Sequence, residues 1–275
     1  MKEMTTREVQ LVSLEILKDV HDFCVKNDIK YSLSGGTLLG AIRHNGFIPW
    51  DDDVDIQMPR LDYDRFIHTY VSPKYKVYSR ELTEFEKKHM TYPYARICEM
   101  EKTFVDTGVH PWIFEDTGVW IDVFPCDGIS SDPAEAKKCL KKIHRLVRYA
   151  GWIAFRNFSW EKIKNEKQLT RKIKAIVKKW ISNIMPTSTL DRIIALKRKY
   201  DYMTSDYFFA TTYRGFGEWQ CKNNMEGSEL HQFEDAEFYI MSGYEANLTS
   251  LYGDYMAIPP ENKRISHGFN HYYWR

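Results

Sequence analysis

The chain has 275 residues, 43% of them hydrophobic and 15% aromatic, and its 39 Lys/Arg against 38 Asp/Glu leave a formal charge of +1. That length suffices for one large core or for one domain with an elaboration, and the lack of any run of about eighteen apolar residues excludes a membrane-spanning helix. The five cysteines (Cys24, Cys98, Cys126, Cys139 and Cys221) are scattered without a C-x-x-C pair, which argues against a disulfide framework or a structural zinc site.

The opening MKEMTTREVQ lacks the apolar centre of a signal peptide, so a cytoplasmic protein is expected. Thr5 and Glu8 are spaced as a capping box for a helix to about residue 25, with Val9, Val12, Ile16, Val20 and Phe23 on one broad face. Asn27 and Asp28 end it. A strand over 31–33 leads into Gly35, Gly36 and Thr37, a loop whose backbone N–H groups approach a phosphate with no Cβ in the way. A short helix is expected over 37–43, then an acidic strand over 47–58 carrying Asp51, Asp53 and Asp55.

Residues two apart on a strand share a face. Asp53 and Asp55 therefore point toward one hard cation while Val54 and Ile56 turn to the core, and Asp52 falls on the other side. Mg²⁺, or Mn²⁺ in its place, suits such a site, because magnesium takes one or two carboxylates and completes its shell with waters and substrate phosphates. An Asp-rich run is often a solvated turn, but apolar residues flank and interrupt IPWDDDVDI as a half-buried strand requires.

Pro59 ends that strand, and LDYDRF opens another helix. Strands follow over 75–79, 94–99 and 120–124. In VWIDVF, apolar neighbours leave Asp122 either paired in the core or aimed into a site, because an unpaired buried carboxylate is costly. Arg43, one short helix beyond the glycines, has the guanidinium geometry for a phosphate oxygen or for a surface pair, and Arg96 approaches from an adjacent strand.

From 137 to 200 there are 19 Lys/Arg and three acids, leaving 20 basic and 35 acidic residues elsewhere. Two helical apolar stripes run through this basic segment. One holds Ala136, Cys139, Leu140, Ile143, Leu146 and Val147; the other holds Ile173, Ile176, Val177, Trp180, Ile181, Ile184 and Met185, with Lys172, Lys174, Lys178 and Lys179 on other faces. Either both stripes pack onto the remaining chain, or the segment meets an anionic membrane surface with Trp152, Trp160 or Trp180 in the interface. Nucleic acid ranks last, since no binding motif accompanies the charge. The final seventy residues are aromatic and loop-rich. The division expected is a catalytic core over 1–136, the basic helical segment over 137–200 and a cap over 201–275 that completes the same domain.

The stretch GGTLLGAIRHNGFIPWDDDVDIQMPRLDYDRF, with VWIDVFPCDG and LYGDYMAIPPENKRISH, resembles the signature of the LicD family, which includes fukutin-related proteins. The resemblance implies an α+β, nucleotidyltransferase-like mixed sheet flanked by helices, with the basic segment as an insertion. It also implies transfer of phosphocholine or a related phospho-alcohol from CDP-choline or another CDP-alcohol to a sugar hydroxyl of a surface glycan. It makes Asp122 the third carboxylate, as metal ligand or as base, and draws attention to Asp254, Arg264 and His267 in the last block. Trp112, Trp120, Tyr213 and Trp219 are candidates for a choline cage.

The mechanism expected is in-line displacement with release of CMP. Mg²⁺ is held by Asp53 and Asp55 with Asp51, and the Gly35–Thr37 amides position the diphosphate. In the membrane reading of the basic segment, the glycan acceptor is attached to a lipid and the protein is peripheral on the inner face of the membrane. Two other readings stay open: attack on the nucleotide's own α-phosphorus, and a catalytically silent glycan-binding or membrane scaffold.

Overall fold

The computed structural model describes residues 1–106, 117–157, 159–186, 188–264 and 271–275. A two-residue strand β1 (Lys2–Glu3) precedes the long helix α1 (Thr6–Lys26). β2 (Ser32–Leu33) runs into α2 (Gly35–His44), and β3 (Asp55–Pro59) into α3 (Arg60–Thr69). Next come β4 (Tyr75–Tyr78), α4 (Glu84–His89), β5 (Ala95–Glu99), β6 (Thr103–Asp106) and the long β7 (Trp120–Ile129). Helices α5 (Pro133–Ile153), α6 (Trp160–Asn165), α7 (Leu169–Ile184) and α8 (Ser188–Lys197) follow. The chain returns through β8 (Tyr207–Phe209), β9 (Gln220–Cys221), α9 (Asn223–Glu226), the hairpin β10 (Ser228–Phe233) and β11 (Ala236–Met241), α10 (Tyr244–Tyr252) and β12 (His271–Trp274).

The fold is α+β, with a mixed central sheet flanked by helices. Its strand order is β2-β3-β7-β5-β4; β3 and β7 are parallel, the other pairs are antiparallel, and β8 with β9 extends the C-terminal half of β7. α1 and α3 pack against this sheet. α1 starts where the capping box places it: the Thr5 hydroxyl accepts from the Glu8 N–H and the Glu8 carboxylate from the Thr5 N–H, satisfying two of the helix's orphan donors. Its Val9, Ile16, Leu17, Val20 and Cys24 are buried in the main core. β12 pairs with both β1 and β6, so the two ends of the chain close on each other.

Two elements begin elsewhere than the sequence suggests. α2 starts at Gly35, so the glycine pair forms the first turn of the helix rather than a loop before it. β3 starts only at Asp55. Pro49 has no N–H to give a ladder and the Asp51 N–H turns back to the Ile48 carbonyl at 2.9 Å, so Asp51 and Asp53 lie on an approach segment ahead of the strand.

The basic segment is helical, and its two apolar stripes differ in fate. The α5 stripe buries Ala136, Leu140, Ile143, Ala150 and Ile153 in a second core shared with Ile193 and Phe209. The α7 stripe is divided: Ile176 and Ile181 are half-buried and Met185 buried, beside Ala175, Lys179 and Ser182, while Ile173, Val177, Trp180 and Ile184, with Leu169, are exposed. Lys179, expected among the outward lysines, is buried and donates to the Arg156 carbonyl at 3.2 Å. The segment is tied to the sheet through Asp127 on β7, which accepts from Arg60 at 2.7 and 2.8 Å and pairs with Lys197 of α8 at 3.3 Å. No helix among the described residues is long and apolar enough to cross a membrane.

Candidate active site

Strand register does the first work. Pairing β3 with β7 sets Asp55 opposite Asp122, and pairing β7 with β5 sets Asp122 opposite Arg96. Three charged side chains from three strands therefore lie in one row across the sheet. Arg96 donates through Nε to Asp122 at 2.6 Å, and its guanidinium lies 4.6 Å from the Tyr92 ring centroid and 4.8 Å from that of Trp120. Burial opposes the charge on Arg96, and Asp122, Tyr94 and Tyr92 together more than restore it.

Beside that row opens a cavity of about 620 Å³. Asp51, Asp53, Asp55 and Asp122 all line it, together with Gly35 and Gly36 at the start of α2. Gly35 has φ +54°, and a Cβ there would stand 3.2 Å from Asp55 Oδ2; a Cβ on Gly36 would stand 2.6 Å from Asp51 Oδ2. Only glycines let the helix's first turn, with its unsatisfied N–H groups and partial positive charge, come this close to the carboxylates. Thr37 contributes differently: its Oγ1 accepts the Asp55 N–H at 2.8 Å and so fixes the acidic strand to α2.

Enclosure pushes the Asp55 carboxyl well above the usual carboxylate range, and the nearby Asp53, Asp122 and Asp51 push it further, against a smaller pull from Arg96. Counting Glu218, five carboxylates line the cavity, and Arg214 is its one Lys or Arg among the described residues. A site this negative calls for a cation. The all-oxygen donor set fits a hard divalent ion, while among the described residues no three acid, imidazole or thiolate groups are placed to hold a metal together.

Other residues singled out by sequence lie off the cavity wall. Arg43 donates to the Tyr255 and Ala257 carbonyls at 2.9 and 3.2 Å, tying α2 to the C-terminal loop. Trp120 is buried beneath Arg96 and packs on Tyr272. Trp219 stacks on Tyr207 at 4.1 Å and donates to the Ser130 carbonyl. Asp254 and Arg264 are exposed, Arg264 donating to the Pro259 carbonyl and lying 5.3 Å from the Trp50 ring centroid. Trp112 and His267 lie outside the described residues.

Tyr213 does line the cavity, as do several residues that sequence reasoning missed: Ser34, Gln57, Tyr94, Arg214, Glu218 and Tyr252. Arg214 sits 4.7 Å from the Tyr252 ring centroid and is followed by Gly215 at φ +60°. The run YRGFGE, with two glycines beside a cation and an acid, was the available signal.

The family described as LicD/FKTN/FKRP, nucleotidyltransferase domain, matches residues 28–125. A lipopolysaccharide cholinephosphotransferase LicD of Haemophilus influenzae is 32% identical over 272 residues, covering 97% of each chain. The chain belongs to the LicD family. An uncharacterized protein of Rickettsia typhi is 42% identical over 76 residues, 27% of this chain and 24% of its own length, and another of Rickettsia prowazekii is 40% identical over 95 residues, 34% and 30%. In this LicD-family chain the family match spans β2 to β7 and so includes all four cavity aspartates. The facing wall, with Tyr213, Arg214 and Tyr252, comes from outside that match.

Proposed function

We propose that the protein transfers phosphocholine, or a closely related phospho-alcohol, from a CDP-activated donor to a sugar hydroxyl of a lipopolysaccharide-type surface glycan, releasing CMP. The supporting observation is the convergence of four aspartates on the first turn of α2 within one cavity, in a chain whose Haemophilus relative is named a lipopolysaccharide cholinephosphotransferase. The arrangement is of the nucleotidyltransferase type.

Asp53 and Asp55, with help from Asp51, would hold Mg²⁺, which when bound neutralises the donor's diphosphate. The amides of Gly35, Gly36 and Thr37 receive phosphate oxygens at the positive end of α2, and Arg214 on the cavity wall engages another. Asp122, oriented by Arg96, accepts the proton of the acceptor hydroxyl as that oxygen bonds to the phosphorus bearing the alcohol. The bond from that phosphorus to the bridging oxygen breaks, and its electron pair leaves with CMP. Tyr94, Phe124 and Tyr213 also line the cavity, and aromatic rings there suit a quaternary ammonium.

The test is incubation with CDP-choline and a lipooligosaccharide acceptor, with and without a chelator. Phosphocholine on the acceptor by mass spectrometry, CMP in solution and loss of both on chelation support the reading. A cytidylyl group on the acceptor would replace it with nucleotidyl transfer, and donor binding without turnover would leave a silent scaffold.

A further inference from the structure

The apolar face of α7 points the wrong way for a helix of a water-surrounded domain. At 100° per residue, Leu169, Ile173, Val177, Trp180 and Ile184 fall on one stripe, and all five are exposed, from 49% for Val177 to 83% for Ile184. The inward face buries Ala175, Lys179 and Ser182, with Ile176 and Ile181 half-buried beside them, so the exposed five are a second apolar face that the core does not take. Lys179 is committed to the interior, its ammonium 5.4 Å from the Trp160 ring centroid. Single exposed apolar residues are ordinary, but a continuous stripe on one helix marks a surface that is covered in use.

The surrounding charge indicates what covers it. Lys172 and Lys174 fall on the two margins of the stripe, and Lys164, Lys167 and Arg171 are exposed on the same stretch of chain. The segment 137–200 carries 19 basic and three acidic residues, while the rest of the chain is acidic. A second copy of this chain would set these cations against one another across a two-fold axis, and like charges repel. A lipid surface with anionic headgroups satisfies both features at once, apolar side chains entering the acyl boundary and lysines meeting the headgroups, with Trp180 at the level a tryptophan prefers.

We propose that α7 is a membrane-docking helix that lies in the plane of an anionic leaflet. This goes beyond the reading of the active site and does not depend on it. Docking would hold the enzyme where a lipid-borne acceptor is presented.

The test uses full-length protein floated with vesicles of phosphatidylcholine alone or mixed with phosphatidylglycerol. The wild type is expected to float with the anionic vesicles at low salt and to be released by high salt. Lys172→Gln and Lys174→Gln should each lower partitioning by about fivefold, and Ile173→Ser with Trp180→Ser by at least about tenfold. Because these side chains are at the surface, circular dichroism should be unchanged, and CMP release with a soluble glycan acceptor should persist in all variants. Absence of flotation at low salt, equal flotation on neutral vesicles, or an apolar double variant that floats like the wild type would each overturn the proposal. So would a wild-type dimer in light scattering that the double variant dissociates. A protein that floats but never turns over would leave the docking helix standing and remove the catalytic reading.

Discussion

The acidic cavity and the basic helical segment treat charge in opposite ways. In the cavity, like charges are brought together: Asp51, Asp53, Asp55 and Asp122 share one space, and Asp55 is pushed far from its ordinary titration range by enclosure and by its neighbours. In the segment, like charges are spread over exposed helix faces, and the apolar stripe of α7 is on the outside too. A concentration of like charge in an enclosed site costs stability and is maintained only if something of opposite charge visits it. A spread of like charge around an apolar stripe costs little and suits an extended partner. The contrast separates a site built for a small, compact ligand from a surface built for a broad one.

The largest effect that would break this contrast lies at the acids proposed to hold the metal. Asp53→Asn and Asp55→Asn should each lower turnover by at least about a hundredfold, since even groups that merely support a metal ligand are worth 10–100-fold. Thermal unfolding of the metal-free protein should occur at the same or a higher temperature, because a repulsive charge has been removed. Near-normal turnover of both variants with Mg²⁺ would deny the cavity its cation. Asp122→Asn should follow closely, lowering kcat far more than it weakens donor binding measured by calorimetry, because the acid is assigned to the acceptor hydroxyl. Equal losses in both quantities would make Asp122 a binding group.

The third prediction concerns the joint between the two regions. Asp127 is 1% exposed and answers both Arg60 and Lys197, so Asp127→Ala takes this carboxylate from two buried cations and leaves Arg60 to Glu81 and Asp64. A loss of about 3–5 kcal/mol in urea unfolding is expected; a loss below about 1 kcal/mol would show that the Asp127 pairs are not what holds the helical segment to the sheet. The smallest effect lies outside both regions. Glu8, with backbone Thr5 and Trp274 donating to it, titrates near 2 rather than at its ordinary 4.5. A depressed carboxylate contributes stability above its unfolded value and loses it as pH falls through the folded one. Wild-type stability should therefore drop between about pH 4.5 and 2 by more than that of Glu8→Gln, as followed by circular dichroism.

The legibility of this protein in its sequence was uneven, and for identifiable reasons. The α1 cap was readable because Thr5 and Glu8 act on backbone groups three residues away. The aspartates were readable because apolar residues punctuate them, and the resemblance to LicD-family proteins added Asp122. Arg214, Glu218 and Tyr252 were not readable: they reach the cavity over separations of some 160 residues or more from Asp55, and no local pattern records such a meeting.

By itself, then, the sequence determined the family, the helix starts governed by local hydrogen bonds, the acids that concentrate in one place and the segregation of basic charge. Only the tertiary structure decided that the glycines open α2 rather than precede it, that register sets Asp55, Asp122 and Arg96 in one row, and that one of two similar amphipathic stripes is buried while the other is divided between core and surface. Periodicity specifies which side chains share a face. Which face meets the core is settled by competition among all elements for the same buried area, and there α5 packs its apolar stripe while α7 presents Ala175, Lys179 and Ser182.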